Sequence, residues 1–113
     1  MADCLFCKIA NKELDSEIVT ESDRVIAFRD INPGAPTHVL VIPKDHIASV
    51  AEVNSSHAEL LAEIFETAST IATKEGLDGG WRIVTNVGRD AGQSVHHLHF
   101  HLLGGRGMSW PPG

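Results

Sequence analysis

The stretch that decides the fold is His96-His97-Leu98-His99-Phe100-His101-Leu102-Leu103-Gly104-Gly105. Side chains alternate between the two faces of a β-strand, so the three odd-numbered histidines share one face and the apolar residues between them take the other. The apolar face predicts a strand laid on a hydrophobic core. Three histidines in a row on the opposite face are improbable by chance and indicate either a metal site or a catalytic site.

Strand geometry limits both alternatives. Successive imidazoles on that face stand roughly 6.5–7 Å apart and all three span roughly 13 Å, so at most two neighbours can share one ion with bonds of ~2.1 Å. The catalytic alternative needs a central histidine held in one tautomer as a nucleophile, flanked by rings that donate hydrogen bonds to a phosphoryl or acyl group. Ser94, just upstream, is placed to hydrogen-bond or protonate a leaving group.

Length and composition bound the class of protein. The chain has 113 residues, of which 42% are hydrophobic and 21% charged, which predicts one globular domain over residues 1–113. A formal net charge of −6 argues against nucleic acid as a partner. No apolar run is long enough to span a membrane and the N-terminus lacks a signal-peptide pattern, so we expect no membrane partner and a cytoplasmic location.

Cys4 and Cys7 are too close together in the chain for a disulfide between them to cross-link distant parts of a domain. In a reducing compartment, a C-x-x-C pair more often indicates metal or redox chemistry than a structural disulfide.

The patterning predicts an α+β fold with five antiparallel strands and one long helix packed on one face of the sheet. A capping box of Ser56 with Glu59 predicts the start of the long helix, and Gly76 its end. We expect strands over 17–20, 24–29, 37–42, 81–87 and the histidine stretch, the long helix over 56–75, and short helices within 4–12 and 45–53.

The histidine stretch also resembles a known signature. The run His97-Leu98-His99-Phe100-His101-Leu102-Leu103 is similar to the alternating motif of the histidine triad (HIT) superfamily. The flanking Gly92-Gln93-Ser94, Leu103-Gly104-Gly105-Arg106 and Trp110-Pro111-Pro112-Gly113 resemble its Hint-type purine nucleoside phosphoramidase branch. Further matching segments, such as Phe28-Arg29-Asp30-Ile31 and Ala35-Pro36-Thr37-His38, extend the resemblance over nearly the whole chain. It implies the HIT-like form of this α+β fold, as a homodimer whose five-stranded sheets join.

The resemblance implies a hydrolase that acts on P–N or P–O bonds of purine nucleotides. His99 would attack the α-phosphorus of a nucleoside phosphoramidate or acyl-nucleotide, and water would release the monophosphate from a nucleotidyl-histidine. His101, His38 and Ser94 would hydrogen-bond the phosphate and the leaving group. Gln93 and Asn86 would complete the polar shell.

The nucleotide-binding set implied by the resemblance also includes an acid and an apolar pocket. Asp30 matches the family's ribose-binding acid, although an acid before Asn32-Pro33 equally suits a turn. The base pocket would be formed by Leu5, Phe6, Ile9, Phe28 and Ile31, which could also be core residues. The tail with Trp110 resembles a segment that reaches the partner subunit's site; otherwise it covers an apolar patch.

The C-x-x-C pair departs from many Hint-type members, but some relatives use it for zinc. The ligand set implied here is Cys4, Cys7, His46 and His97, a closed arrangement typical of a structural zinc ion. The alternative is a pair of reduced cysteines in a short helix.

Other activities remain open. Within the superfamily, the chain could be a dinucleoside polyphosphate hydrolase or a nucleotidyltransferase. Outside the enzymes, it could be a nucleotide-binding regulatory module with incidental turnover.

Overall fold

The computed structural model describes residues 4–113 and confirms the predicted α+β class with five strands, one long helix and a short N-terminal helix. Residues 1–3 of the predicted domain lie outside the described residues. The elements in chain order are α1 (Leu5–Ala10), β1 (Ile18–Glu21), β2 (Val25–Arg29), β3 (Thr37–Pro43), α2 (Ala58–Lys74), β4 (Trp81–Val84) and β5 (Phe100–Gly104). Short 3₁₀ turns cover Val50–Glu52, Ser55–His57 and Arg89–Ala91, so the helix expected within 45–53 is reduced to a single turn.

The strands form one antiparallel sheet in the order β1-β2-β3-β5-β4. The first three strands form an antiparallel meander, and β5 lies between β3 and β4. In the β3–β5 ladder, His38 is opposite Leu103 and Leu40 is opposite His101. His38 and His101 are therefore diagonal neighbours on one face of the sheet, within reach of each other's rings.

The two faces of the sheet carry two different cores, as the alternation in the histidine stretch predicts. Helix α2 covers one face, where Leu98, Phe100 and Leu102 pack with its buried residues Ile64, Ala68 and Ile71. Helix α1 covers part of the other face, which also carries the histidines. Its core consists of Phe6, Ile9, Ala10, Ile26, Phe28, Leu40 and Ile42.

The long helix ends as predicted but begins differently. Gly76 has φ +71° just past the helix, and the N–H of Leu77 donates to the carbonyl of Ala72, which closes a Schellman motif. At the other end, the predicted capping box of Ser56 with Glu59 is wrong. Asn54 caps a preceding 3₁₀ turn together with His57, and α2 starts only at Ala58.

The histidine stretch enters the sheet later than expected, because β5 starts at Phe100 and β4 ends at Val84. Residues 97–99 are buried but irregular, and their polar groups bond outside the ladder. The N–H of Leu98 donates to the carbonyl of Ile47 (2.6 Å), and the Thr85 hydroxyl donates to the carbonyl of His99 (2.8 Å). Contacts to neighbouring loops thus replace strand pairing at the centre of the motif.

Across residues 4–113, no helix has the length and apolar character needed to cross a membrane.

Candidate active site and metal centre

His99 sits at the centre of the site, 5% exposed, between the rings of Phe6 and His101. Its Nδ1 lies 2.6 Å from the backbone carbonyl of His97. A carbonyl oxygen only accepts hydrogen bonds, so Nδ1 carries the proton. In the neutral ring, Nε2 then holds the free lone pair, which is the state that a nucleophilic histidine requires.

His38 and His101 form a chain of hydrogen bonds with a fixed direction. The N–H of Gly34 donates to His38 Nδ1 (2.8 Å), so the proton of the neutral His38 ring is on Nε2. That nitrogen donates to His101 Nδ1 at 2.9 Å. The neutral His101 ring therefore carries its own proton on Nε2 and is a hydrogen-bond donor there.

These contacts bear on the role predicted for His38. Both of its ring nitrogens are engaged within the protein, and its predicted hydrogen bond to the phosphate or the leaving group stays a prediction. Sequence reasoning did not identify Gly34, because a backbone N–H has no side-chain signature.

Burial keeps both rings neutral near pH 7. Burial, together with the neighbouring His99 and His38, lowers the pKa of His101 from 6.5 to about 4, against an opposing effect of Asp30. Burial also lowers the pKa of His38, and the Asp30 carboxylate offsets part of that decrease. The site therefore presents the Nε2–H of a neutral His101 beside the ring of His99.

Asp30 has one oxygen in a turn and the other beside the histidines. Its Oδ1 accepts the N–H of Asn32 (2.8 Å), which is the turn-forming role, while Oδ2 lies 3.4 Å from His38 Nε2. Both functions considered for this acid thus remain compatible with its position. Its contact with a ribose stays a prediction.

Gln93 braces the loop before the histidines. Its side-chain carbonyl accepts the N–H of Gly88, and its amide donates to the carbonyls of Ala48 (2.8 Å) and Val95 (3.1 Å). Both of its N–H groups donate to backbone carbonyls, so Gln93 holds this loop in place, and its predicted place in the polar shell around the nucleotide stays a prediction. Ser94, in the same loop, is exposed.

Asn86 lies just beyond the end of β4 and is partly buried. Its predicted place in the polar shell stays a prediction.

The residues proposed for the base pocket divide into two groups. Phe6, Ile9 and Phe28 belong to the buried core, and the rings of Phe6 and Phe28 meet edge to face with centroids 5.4 Å apart. Leu5 and Ile31 are 45% and 90% exposed, which leaves them free to contact a ligand. The core interpretation is therefore right for the first group, while neither Leu5 nor Ile31 belongs to a core cluster of residues 4–113, and their contact with a base stays a prediction.

Trp110 is 82% exposed. The Arg82 guanidinium donates to the carbonyl of Ser109 (3.1 Å) and so ties this tail to strand β4.

Cys4, Cys7, His46 and His97 come together, with their ligand atoms all within 4.8 Å of one another. The Cys4 and Cys7 sulfurs lie 3.2 and 3.5 Å from His97 Nδ1, and Cys7 Sγ lies 3.4 Å from His46 Nδ1. Sulfur and nitrogen ligands on one tetrahedral zinc ion are about 3.6 Å apart, so the cluster needs only small adjustments to hold one.

The protonation of His97 suits a ligand as well. Its Nε2 donates to the carbonyl of Pro43 (2.8 Å), which leaves the lone pair of Nδ1 pointing at the sulfurs. Burial, with the adjacent Cys4, raises the pKa of Cys7 to about 11. A bound cation is what would stabilise the thiolate there. The residues thus fit a closed structural zinc site.

Asp30, His38 and His101 form a second cluster of metal-ligand types. The hydrogen bond from Gly34 argues against an ion there, because it puts a proton on the His38 nitrogen that would have to bind the metal. This cluster is better described as a hydrogen-bond chain.

Comparisons with known proteins agree with this geometry. A family model described as scavenger mRNA decapping enzyme C-term binding matches residues 3–109. The chain is 50% identical to the 14 kDa zinc-binding protein of Zea mays over 111 residues, which cover 96% of this chain and 87% of that one. It is 47% identical to adenylylsulfatase HINT1 of Arabidopsis thaliana over 111 residues, 96% of this chain and 76% of that one.

Among solved structures, a HIT family hydrolase from Legionella pneumophila Philadelphia 1 is 54% identical and superposes with a TM-score of 0.96, covering 98% of this chain and 100% of that one. The family model, the relatives and the alternating histidines thus agree. The chain belongs to the histidine triad (HIT) superfamily and, within it, to the Hint-type branch.

Proposed function

We propose that this protein is a nucleotide hydrolase in which His99 is the nucleophile. The observation that carries the proposal is the 2.6 Å hydrogen bond from His99 Nδ1 to the carbonyl of His97, which leaves Nε2 with a free lone pair. Because the His99 ring is buried, little water reaches its lone pair, which therefore remains available to a bound substrate. Close relatives named as a hydrolase and an adenylylsulfatase support the reaction class.

The proposed reaction has two steps. His99 Nε2 attacks the α-phosphorus, the bond from phosphorus to the leaving group breaks, and a nucleotidyl-histidine forms. The leaving group takes up a proton as it departs, and we assign that transfer to the hydroxyl of Ser94, in the loop that precedes the histidines. Water then attacks the same phosphorus and the P–N bond to His99 breaks, which returns the electron pair to His99 Nε2 and releases the nucleoside monophosphate. One proton of the attacking water passes to Ser94 and restores its hydroxyl.

His101 stabilises the charge that develops on the phosphoryl oxygens. Its Nε2–H is a donor whose direction is fixed by the chain from Gly34 through His38. A preorganised neutral donor in a half-buried site needs no rearrangement as the charge builds up. His38 is therefore a positioning residue in this scheme.

We propose purine nucleoside phosphoramidates and acyl-nucleotides as substrates. Leu5 and Ile31 are exposed apolar side chains suited to a base, and Asp30 Oδ2 is suited to ribose hydroxyls. Because one relative is named an adenylylsulfatase, adenylyl sulfate is a further candidate with the same α-phosphorus. Diadenosine polyphosphates represent the alternative hydrolase activity.

The test measures AMP release from adenosine 5′-phosphoramidate, adenylyl sulfate and diadenosine tetraphosphate. We expect the first two to turn over, with His99→Ala slowing AMP release by at least about a thousandfold. The matched control is His96→Ala, at an exposed histidine of the same stretch. Acid quenching followed by mass spectrometry should detect the nucleotidyl adduct on the wild type.

The outcomes separate the alternatives. Full activity of His99→Ala would refute the nucleophile assignment. Turnover of diadenosine tetraphosphate alone would favour the polyphosphate hydrolase. Tight nucleotide binding without turnover by the wild type would favour the regulatory module.

We also propose a structural zinc ion at the Cys4–Cys7–His46–His97 cluster. The ligand distances and the orientation of His97 Nδ1 support it. Zinc in that position would supply no chemistry to the reaction and would tie α1 to the catalytic segment. Protein purified without a histidine tag should contain stoichiometric zinc, and metal-free protein with unchanged stability would contradict the site.

Finally, we propose a homodimer joined at β4. Strand β4 is an edge of the sheet, and Trp81 on it and Phe65 on α2 are 42% and 45% exposed. The opposite edge, β1, carries Glu21 in ion pairs with Lys12 and Lys44, which disfavours strand addition there. Light scattering should give a dimer for the wild type and a monomer for Trp81→Lys; a monomeric wild type would contradict the proposal.

A further inference from the structure

We propose that the Cys4–Cys7–His46–His97 cluster positions the nucleophile, so that the catalytic state of His99 depends on whether the cluster holds its metal. This inference rests on the proposed roles of His99 and of the cluster. It goes beyond them because it makes His97 and Phe6 positioning residues for the reaction.

The first step concerns the backbone that carries His99. Residues 97–99 are buried yet lie outside β5, so no strand ladder fixes them. In their place, the N–H of Leu98 bonds to the carbonyl of Ile47, and the ring of His97 bonds to the carbonyl of Pro43. Both partners lie in the segment that also supplies His46, so a metal shared by His46 and His97 would clamp these two segments together.

The second step is that His97 serves both sites. Its ring points Nδ1 at the sulfurs of Cys4 and Cys7, while its own carbonyl accepts the Nδ1–H of His99 at 2.6 Å. Only a few covalent bonds separate that ring from that carbonyl. A metal that fixes the ring therefore also fixes the group that sets the tautomer of His99.

The third step concerns Phe6, whose ring forms one wall of the site around His99. Phe6 lies between the two cysteines on α1, and its ring meets the ring of His99 edge to face, with centroids 5.1 Å apart. Helix α1 has six residues, and Cys4 caps it by accepting the N–H of Cys7. Helices this short are not stable on their own, so attachment of both cysteines to a metal would hold Phe6 against His99.

Loss of the metal should therefore impair the positioning of His99 specifically. Every side chain proposed to touch the substrate would remain, but the Nδ1–H of His99 would lose its fixed acceptor and the ring its wall. We expect that proton to exchange with water at least about tenfold faster, and kcat to fall by about 10–100-fold.

The decisive readout is NMR of ¹⁵N-labelled protein loaded with zinc and then stripped by a chelator. The hydrogen-bonded Nδ1–H of His99 should give a slowly exchanging downfield signal, assigned by its absence in His99→Gln. On stripping, we expect that signal to broaden, while the signal of the proton between His38 and His101 changes little. This readout needs no turnover, so it stands even if the proposed reaction fails.

Variants provide the second arm. Cys7→Ala removes a ligand but leaves the Cys4 side chain in place, and it should reproduce the effect of stripping on both the signal and kcat. Lys8→Ala, on the same helix but not in the cluster, should leave both unchanged.

Three results would overturn the proposal. The first is that zinc added at micromolar concentration does not bind. The second is that the His99 signal exchanges equally slowly with and without metal. The third is that the whole backbone spectrum collapses on stripping, which would mean that the cluster stabilises the entire fold rather than the nucleophile.

Discussion

The lowered pKa of His101 predicts how the free energy of unfolding depends on pH, and by how much. Burial lowers the pKa of this ring to about 4 in the folded protein, against 6.5 for an ordinary histidine. Between these values the unfolded chain binds more protons than the folded one, so the free energy of unfolding rises with pH. The stabilisation is complete above pH 6.5 and is lost as the pH falls toward 4.

The magnitude follows from the two pKa values. Going from pH 7.5 to pH 5, a histidine whose pKa changes from 6.5 to about 4 on folding removes about 2 kcal/mol from the free energy of unfolding. The ring is half-buried, and water that reaches it screens part of this, so we expect about 1–2 kcal/mol. Such a loss is a large fraction of the stability of a small domain.

The assay compares urea unfolding of metal-free wild type and His101→Asn at pH 7.5, 6.5, 5.5 and 5.0. Asparagine does not titrate, and its Oδ1 can replace His101 Nδ1 as the acceptor for His38. The difference in unfolding free energy between the two proteins should shift by about 1–2 kcal/mol in favour of the variant as the pH falls. His96→Asn, at an exposed position, reports the cost of the exchange by itself.

Parallel pH curves for the wild type and His101→Asn would refute the reasoning. They would mean that protons taken up on unfolding come from groups other than His101. The hydrogen-bond chain would then lack the neutral ring that it requires.

Three further substitutions test the packing and the charge pairs by thermal or urea unfolding. Gly105→Ala should cost about 2–3 kcal/mol, because φ is +93° and the new Cβ would lie 2.9 Å from Cβ of Pro36; an unchanged Tm would contradict this. Ile64→Ala, at a fully buried position of α2, should cost about 2–5 kcal/mol. The Arg29 guanidinium lowers the pKa of Glu75, so their pairing stabilises the fold fully above pH 4.5, and this stabilisation is lost as the pH falls through the lowered pKa of the folded protein. Glu75→Gln should therefore cost about 1 kcal/mol at pH 7 and progressively less as the pH falls below 4.5.

Much of the fold follows from local pattern. The alternation in the histidine stretch correctly separated Leu98 and Phe100 from the histidines, because burial of one sheet face forces that register. Gly76 marked the end of the long helix because few residues other than glycine adopt its φ of +71°. The structure also brings together Cys4, Cys7, His46 and His97, which were grouped through resemblance rather than through any pattern in the chain; that they bind zinc stays a prediction.

What could not be predicted depends on backbone atoms. The start of β5 is delayed because Ile47 and Pro43, distant in the chain, offer carbonyls that compete with the ladder. The role of His38 behind His101 depends on the N–H of Gly34. Every residue other than proline has that group, so no composition or spacing distinguishes the one that orients a histidine ring.

The roles that we propose for the histidines therefore follow from what each ring's second nitrogen contacts, and not from their order along the stretch. In His97, Nε2–H donates to a carbonyl and the Nδ1 lone pair faces the sulfurs, whereas in His99, Nδ1–H donates to a carbonyl and leaves the Nε2 lone pair for the proposed attack on phosphorus. In His38 and His101 a backbone N–H starts a chain that ends in a donor. A neutral imidazole has one proton to place, so one backbone contact decides between ligand, nucleophile and donor. Histidine side chains a few residues apart can then serve three different purposes, provided that the backbone around them is held rigidly. We propose that the Cys4–Cys7–His46–His97 cluster, with its metal, holds that backbone.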